Sequence, residues 1–419
     1  MSTTRTADFA AMINEYLPNK LMQQELKKRD FLFNQVEEDK NWKLGNYIVP
    51  FTSAVASSVK FGSLTDLSDI SKEKEVRGVI SAHKEVWGSM LFEAKDIMIN
   101  DKLSEQNFLR ILPDQIERHM QYFKQVLGQN FLSGAAIEEL TADGTVGGIA
   151  EVANPERYEL DQLLNFSSDA VVGPIVGYVK SINVNSNELE IVTARGGATP
   201  VDLSTLLIAD NAKVYNDNQK ADGFSSVIDL LKPASAGGPA NIYGVAKTSS
   251  KYTQAIHVDG SAVTAADLLK NIFKTYVKIR KVGGGKPNQV LMSYNNYAAC
   301  VNQIENQKSA FNVIPMASKM EVYAWDQITV GGFLSNGEPV TLVALQEMND
   351  SDLIFFDKST FVIASNGGLR KHKTPDGIEF YTTRQTSGYK YVIDTCLMGD
   401  LICKAPFKNG IMTGLNITY

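Results

Sequence analysis

Residues 282–288 read VGGGKPN, the stretch of this chain that comes nearest to a phosphate-binding loop. The Walker pattern needs another Gly further upstream and a Ser or Thr after the Lys, whereas here Pro287 follows Lys286. The segment also runs from a predicted helix into a predicted strand. That is the reverse of the order in which amides at a helix start cradle phosphate. A turn is the better reading. The four histidines, His83, His119, His257 and His372, are scattered, and none lies three or four positions from another His or a Cys, so no metal-ligand pair stands out. His119 falls in the polar rows of a predicted helix, where it should be solvated or serve as a local hydrogen-bond partner. Cys300, among apolar neighbours, reads as a small buried hydrophobe rather than a nucleophile. There is no GxSxG elbow. Glu138 and Glu139 are adjacent, which on a helix would point them apart. Two basic clusters, KIRKVGGGK at 278–286 and RKHK at 370–373, read as solvated loops, with a phosphate contact or an inter-subunit ion pair as the sharper alternative. No catalytic residue, metal site or cofactor is indicated, and an enzyme is not expected.

The totals agree with a folded, non-secreted type of chain. At 419 residues the length suits two or three lobes. Apolar residues make up 44% and charged residues 21%, ordinary values for a globular protein. The net charge of −6 argues against a dedicated nucleic-acid binder. Three cysteines without a CxxC pair, Cys300, Cys396 and Cys403, suggest free thiols in a reducing compartment. The amino terminus lacks the continuous apolar core of a signal peptide, and no apolar run is long enough for a membrane span.

The elements follow from periodicity. Residues 8–40 read as a helical arm that packs only partly on its own chain. From Asn46 to Asp96 the pattern turns to strands: Val49, Phe51, Val55, Val59 and Phe61 share one parity, SLTDLSDISKEKEVR forms a polar tip, and Val76 to Phe92 returns. Such a two-stranded excursion needs another strand, a helix or another chain beneath it. A long amphipathic helix is predicted over 113–134, with Pro113 in its first turn, Gly134 at its stop, and Ile116, Met120, Phe123, Leu127 and Phe131 on one face. Residues 141–165 read as Gly-rich connection and 175–194 as a β-hairpin. The composition of DLLKPASAGGPANIYG suggests a flexible joint. A helix over 263–281, the short strand QVLMS and a second helix make a layered α/β lobe. Strands dominate from Glu321 onward.

This order of elements resembles the major capsid protein of tailed bacteriophages, with the HK97 fold. The residues that carry the resemblance are GNYIVPFTSAVASSVKFG, VRGVISAHKEVWGSMLFEAKDI, the helix at 113–133, the pair ADLLKNIFKTYVKIR and PNQVLMSYNNYAACVNQI, and DLIFFDKSTFVIASNGG. The resemblance spans nearly the whole chain and lies in order and texture rather than in an invariant motif. It implies an α+β fold with an N-terminal arm over 1–45 and an extended loop over 46–96. A peripheral domain over 97–172 would hold the spine helix at 113–133. An inserted β-hairpin region over 173–221, an axial domain over 222–335 and strands returning to the peripheral domain over 336–419 would complete it. It further implies a structural protein that self-assembles into hexamers and pentamers of an icosahedral virion shell, built in the bacterial host cytoplasm. The partners implied are a scaffolding protein, a portal protein, packaged double-stranded DNA and a decoration protein. The extended loop would touch neighbouring subunits through Phe51, Val55, Val59, Phe61, Lys72, Glu73, Lys74, Glu75 and Arg77. An encapsulin-like cellular compartment shell is the alternative within the same fold, and a soluble enzyme the alternative outside it.

Overall fold

A computed structural model describes residues 31–43, 45–54, 74–93, 105–134, 136–168, 173–310, 327–330, 340–373, 381–385 and 388–417. The chain is α+β, with three six-stranded sheets, two two-stranded sheets and three hydrophobic cores among these residues.

The largest core lies under the long strand Gly388–Cys403. Phe361–Ser365 and Lys84–Glu93 pair antiparallel with different lengths of it, and Glu37–Asp39 adds in parallel to Phe361–Ser365. Lys84–Glu93 was expected to continue the ribbon as its return limb. It joins this sheet instead, because Gly388–Cys403 offers a full ladder from Gly399 to Lys390 whereas an isolated hairpin has none. The long helix, Glu105–Ser133, lies against this region. It begins before Pro113, so that proline removes a backbone donor within the helix instead of opening it. Met120, Phe123, Leu127 and Phe131 are all buried along one stripe, as their spacing predicts.

The layered lobe contains the sheet formed by Ile256–Asp259, Gly410–Thr413, Leu353–Phe356, Gln289–Met292, Val340–Ala344 and Gln327–Val330, in that order. Its two helices are Leu268–Gly283 and Tyr294–Ala310. The sheet is buried on both faces, and its strands split their side chains between two cores. Leu353 and Phe355 face the helices, while Ile354 and Phe356 enter the main core; Val290 and Met292 are divided from Leu291 in the same way. Double burial explains the unbroken apolar runs. It also carries the lobe past the boundary expected at residue 335, since Val340–Ala344 and Leu353–Phe356 are immediate neighbours of Gln289–Met292. The GGGK stretch closes a helix: Gly284 has φ +65°, and its N–H donates to Arg280 O at 3.2 Å.

A third module occupies residues 138–216. Its strands run Glu138–Glu139, Lys213–Asn216, Leu163–Ser167, Ile175–Asn183, Glu188–Val192 and Ile149–Glu151, and a bridge between Leu140 and Val152 draws the two edges together into a small barrel. The barrel has its own core of Ile137, Leu164, Phe166, Leu189, Ile191 and others. The stretch 141–165, expected as connection, therefore supplies strands, and the hairpin over 175–192 is one part of a larger unit. Nor is the stretch at 229–244 a flexible joint. Ile242 and Val245 are buried in the main core from a tight two-stranded turn, and the ammonium of buried Lys247 donates to the carbonyls of Asp229 and Lys232.

Candidate assembly surface

The ribbon is formed by Tyr47–Ala54 and Lys74–Ile80, antiparallel, with Val49 opposite Gly78 and Phe51 opposite Val76. Alternation places Val49 and Phe51 on the inner face, and both are buried, Phe51 with 2% of its surface exposed. The inner face is fixed by several bonds. Val79 N–H donates to Tyr243 O at 2.9 Å, and the Ser250 hydroxyl donates to Ser53 O at 2.9 Å. Gly78 is there because nothing larger fits: a Cβ would stand 2.9 Å from the Phe51 ring and 3.0 Å from Tyr243 Cβ. Tyr243 in turn donates from its hydroxyl to Leu401 O at 3.1 Å and accepts from Cys403 N–H at 2.8 Å. Burial first, then the neighbouring Cys403 and Asp400, push its phenol well above 10.

Of the residues expected to contact neighbours, Lys74, Glu75 and Arg77 are exposed on the return strand. Phe51 is not available for such a contact, because the chain's own core encloses it. Val55, Val59, Phe61, Lys72 and Glu73 lie outside the described residues, as does most of the arm over 1–45. The outward face of the ribbon root also carries an apolar pair that the sequence reading overlooked, Ile48 directly opposite Val79, both exposed. Its signal was available in the parity opposite to Val49 and Phe51.

A cleft of about 1150 Å³ opens beside the ribbon root, between residues 79–89, the long helix and the barrel. Burial shifts several of the groups that line it. The His119 imidazole is lowered to about 4, and the Tyr122 phenol is raised to about 12 by burial and by Glu159. His119 is thus not a solvated residue; it is a neutral ring 3.4 Å from the Thr395 hydroxyl. Burial also raises the Asp400 carboxyl, against the opposing pull of Lys84, whose ammonium is 3.9 Å away, and of the Ser225 N–H and hydroxyl, which donate to it at 2.7 and 2.9 Å. Neutral His119 and Tyr122 provide hydrogen-bonding edges, and neither is poised for proton transfer near neutral pH. Cys300, Cys396 and Cys403 are buried, and burial raises the Cys300 and Cys403 thiols to about 12, which makes them poor nucleophiles. Among the described residues no group of His, Cys, Asp and Glu could hold a metal ion, and no helix is long and apolar enough to cross a membrane.

No protein-family model and no curated protein matches the chain. Solved structures do. The capsid asymmetric unit of Cyanophage A-1(L) is similar at 9% identity and a TM-score of 0.45, over 91% of this chain and 90% of that one. The capsid of a native GTA particle is similar at 10% identity and a TM-score of 0.43, over 91% and 89%. An encapsulin complex from Synechococcus elongatus PCC 7942 is similar at 8% identity and a TM-score of 0.42, over 92% and 87%.

Proposed function

We propose that this chain is the subunit of an icosahedral shell, the major capsid protein of a tailed bacteriophage with an HK97-like fold. Hexamers and pentamers of it would enclose double-stranded DNA in the virion. Under this reading the ribbon is the extended loop, the Glu105–Ser133 helix the spine of a peripheral domain, the layered lobe the axial domain, and the barrel an insertion. A scaffolding protein and a portal protein would take part in assembly in the host cytoplasm, and a decoration protein could bind the finished shell.

The observation that carries the reading is the ribbon itself. Its root is fixed in the main core by Val49, Phe51 and Gly78, yet among the described residues its two strands pair with no other sheet. A two-stranded sheet is marginal in water and is stabilised by what lies beneath it. An anchored root with an exposed Lys74, Glu75 and Arg77 edge suits a surface completed by another copy, where charge sets register and many modest contacts add up around a closed symmetry.

The test is to express the chain with its neighbouring genes and examine the product by negative-stain microscopy, beside a variant in which residues 56–72 are replaced by a short Gly-Ser turn. Hollow particles from the parent, and a folded but unassembled variant, are the expected results. Parent protein that remains monomeric overturns the shell reading. Normal particles from the shortened variant overturn the role given to the ribbon.

A further inference from the structure

Charge is unevenly divided over this chain. Residues 136–216 hold 12 Asp and Glu against 4 Lys and Arg, a net of −8 in a protein whose total is −6. The helix Leu268–Gly283 holds five basic residues, Lys270, Lys274, Lys278, Arg280 and Lys281, and no acidic one. The two regions belong to different modules with separate cores.

The helix buries Leu268, Leu269, Ile272, Tyr276 and Ile279 against the layered lobe. Its opposite stripe, Lys270, Lys274, Val277 and Lys281, follows steps of four, three and four and is exposed, with Phe273 alongside. Phe273 and Val277 keep 37% and 45% of their surface accessible. Apolar side chains set among lysines suit a protein surface with an apolar centre and a charged rim. A phosphate backbone has no use for them, since its contacts are made by cationic and hydrogen-bonding groups.

The barrel carries the complementary feature. Glu151 on the strand Ile149–Glu151 stands directly opposite Glu188 on its neighbour, so the two carboxylates share one face of the sheet. Like charges placed opposite each other destabilise a strand pair. Elsewhere on the barrel such charge is balanced locally: Lys180 lies 2.5 Å from Glu190 and Lys213 3.0 Å from Glu139. Among the described residues Glu188 accepts a hydroxyl, from Ser186 at 2.6 Å, and forms no ion pair. Among the described residues no ion pair joins these lysines of the helix to the barrel.

We propose that the Lys270–Lys281 face of the Leu268–Gly283 helix docks on the Glu151–Glu188 face of the barrel in a second copy of this chain. Two complementary patches at different places on one molecule make a head-to-tail contact, which closes into rings when the rotation between copies allows it. The lysines orient the approach and relieve the Glu151–Glu188 repulsion, while Phe273 and Val277 supply apolar contact. The contact presupposes the shell reading and names one of its subunit interfaces.

The experiment compares three variants with wild type by sedimentation velocity and microscopy: Lys274→Glu with Lys281→Glu, Glu151→Lys with Glu188→Lys, and all four together. Each pair alone should raise the concentration needed for assembly at least tenfold without changing the circular-dichroism spectrum. The fourfold variant should recover assembly, because its charges are exchanged on both faces, and a one-to-one mixture of the two paired variants should recover rings with an even number of subunits, in which every contact joins one variant to the other. Wild-type behaviour of both paired variants overturns the contact. So does a folded fourfold variant and mixture that both fail to assemble. A lysine variant that assembles normally but no longer retains a double-stranded DNA fragment assigns the helix face to nucleic acid instead. If wild type itself stays monomeric, the shell reading fails with it, whereas failure confined to the charge swaps overturns this contact alone.

Discussion

The ring of Phe51 lies nearly parallel to that of Tyr243, with centroids 6.2 Å apart and planes 10° from each other. This stack, closed by Gly78, is what makes the ribbon root part of the subunit and not merely an appendage on it. Truncating a buried aromatic leaves a cavity, so Phe51→Ala should destabilise the unassembled subunit by about 3–5 kcal/mol. Lys74→Ala or Glu75→Ala, at exposed positions, should stay within about 0.5 kcal/mol of wild type. Urea unfolding of the unassembled protein distinguishes the two, and equal midpoints for Phe51→Ala and wild type would contradict the packing described.

His119 gives a pH dependence. Its folded-state value, about 4, lies below the ordinary 6.5, so between these values the unfolded chain binds the extra proton and the folded chain resists it. Stability from this group is therefore complete above pH 6.5 and is lost as pH falls toward 4, by about 3 kcal/mol at most. Carboxylates titrate in the same window, so the informative quantity is the difference between wild type and His119→Gln. Unfolding free energy measured from pH 7 to 4 should fall less steeply in the variant.

These relationships were unequally legible in the sequence. The period-two parity of Val49 and Phe51 predicts their common face, but the ring that covers Phe51 comes from Tyr243, in a stretch whose Gly and Pro content suggests a joint. Local turn residues report that the backbone bends there, not that Ile242 and Val245 are buried at the bend. Val86 and Met90 share a parity with Val76, which made 84–93 look like a continuation of the ribbon. Their actual partner strand lies far along the chain: Ser89 donates to Asp394, 305 positions away. Pairing at that distance leaves no trace in local periodicity. The barrel was hidden for another reason. Ile149–Glu151 is too short for alternation to show beside Gly144, Gly147 and Gly148. The long helix was visible because four buried residues at helical spacing repeat over several turns. The basic cluster KIRKVGGGK reads as a loop, but Lys278 to Gly283 continue the helix Leu268–Gly283, and Glu151 and Glu188 come together only through the strand register that sets them opposite each other.

Lys247 supplies a second pH dependence, of opposite location. Burial lowers its ammonium from 10.5 to about 8, with Asp229 and Cys403 opposing that shift. Below pH 8 both states carry the proton and the folded state bears the cost of burying it. Between pH 8 and 10.5 the unfolded chain holds more protons, so this group's contribution to stability rises with pH. Lys247→Met removes the titration, and the variant's stability curve from pH 7.5 to 10 should lack the upward component present in wild type. Identical slopes would mean that the amine is solvated.

Arg157 joins the barrel to the layered lobe. Only 3% exposed, it donates to Gln346 O at 2.8 Å, Met348 O at 2.9 Å and Asn349 Oδ1 at 3.1 Å, and it reaches Ile137 O at 3.4 Å. No carboxylate is among these partners, so the charge is balanced by carbonyl dipoles converging from two modules. The Ser133 hydroxyl donates to Glu347 O in the same loop, which makes residues 346–349 a common seat for the end of the long helix and for the barrel. Replacing Arg157 by Leu keeps bulk but strands several buried acceptors, each worth about 1–3 kcal/mol when left unsatisfied, so a loss of at least 3 kcal/mol is expected. Because the barrel holds a core of its own, the loss should fall on its docking and not on its interior. Limited proteolysis should then cut Arg157→Leu near residues 134–137 and 217–223 while the barrel fragment resists, whereas uniform digestion of the barrel would show that Arg157 supports the module's own fold.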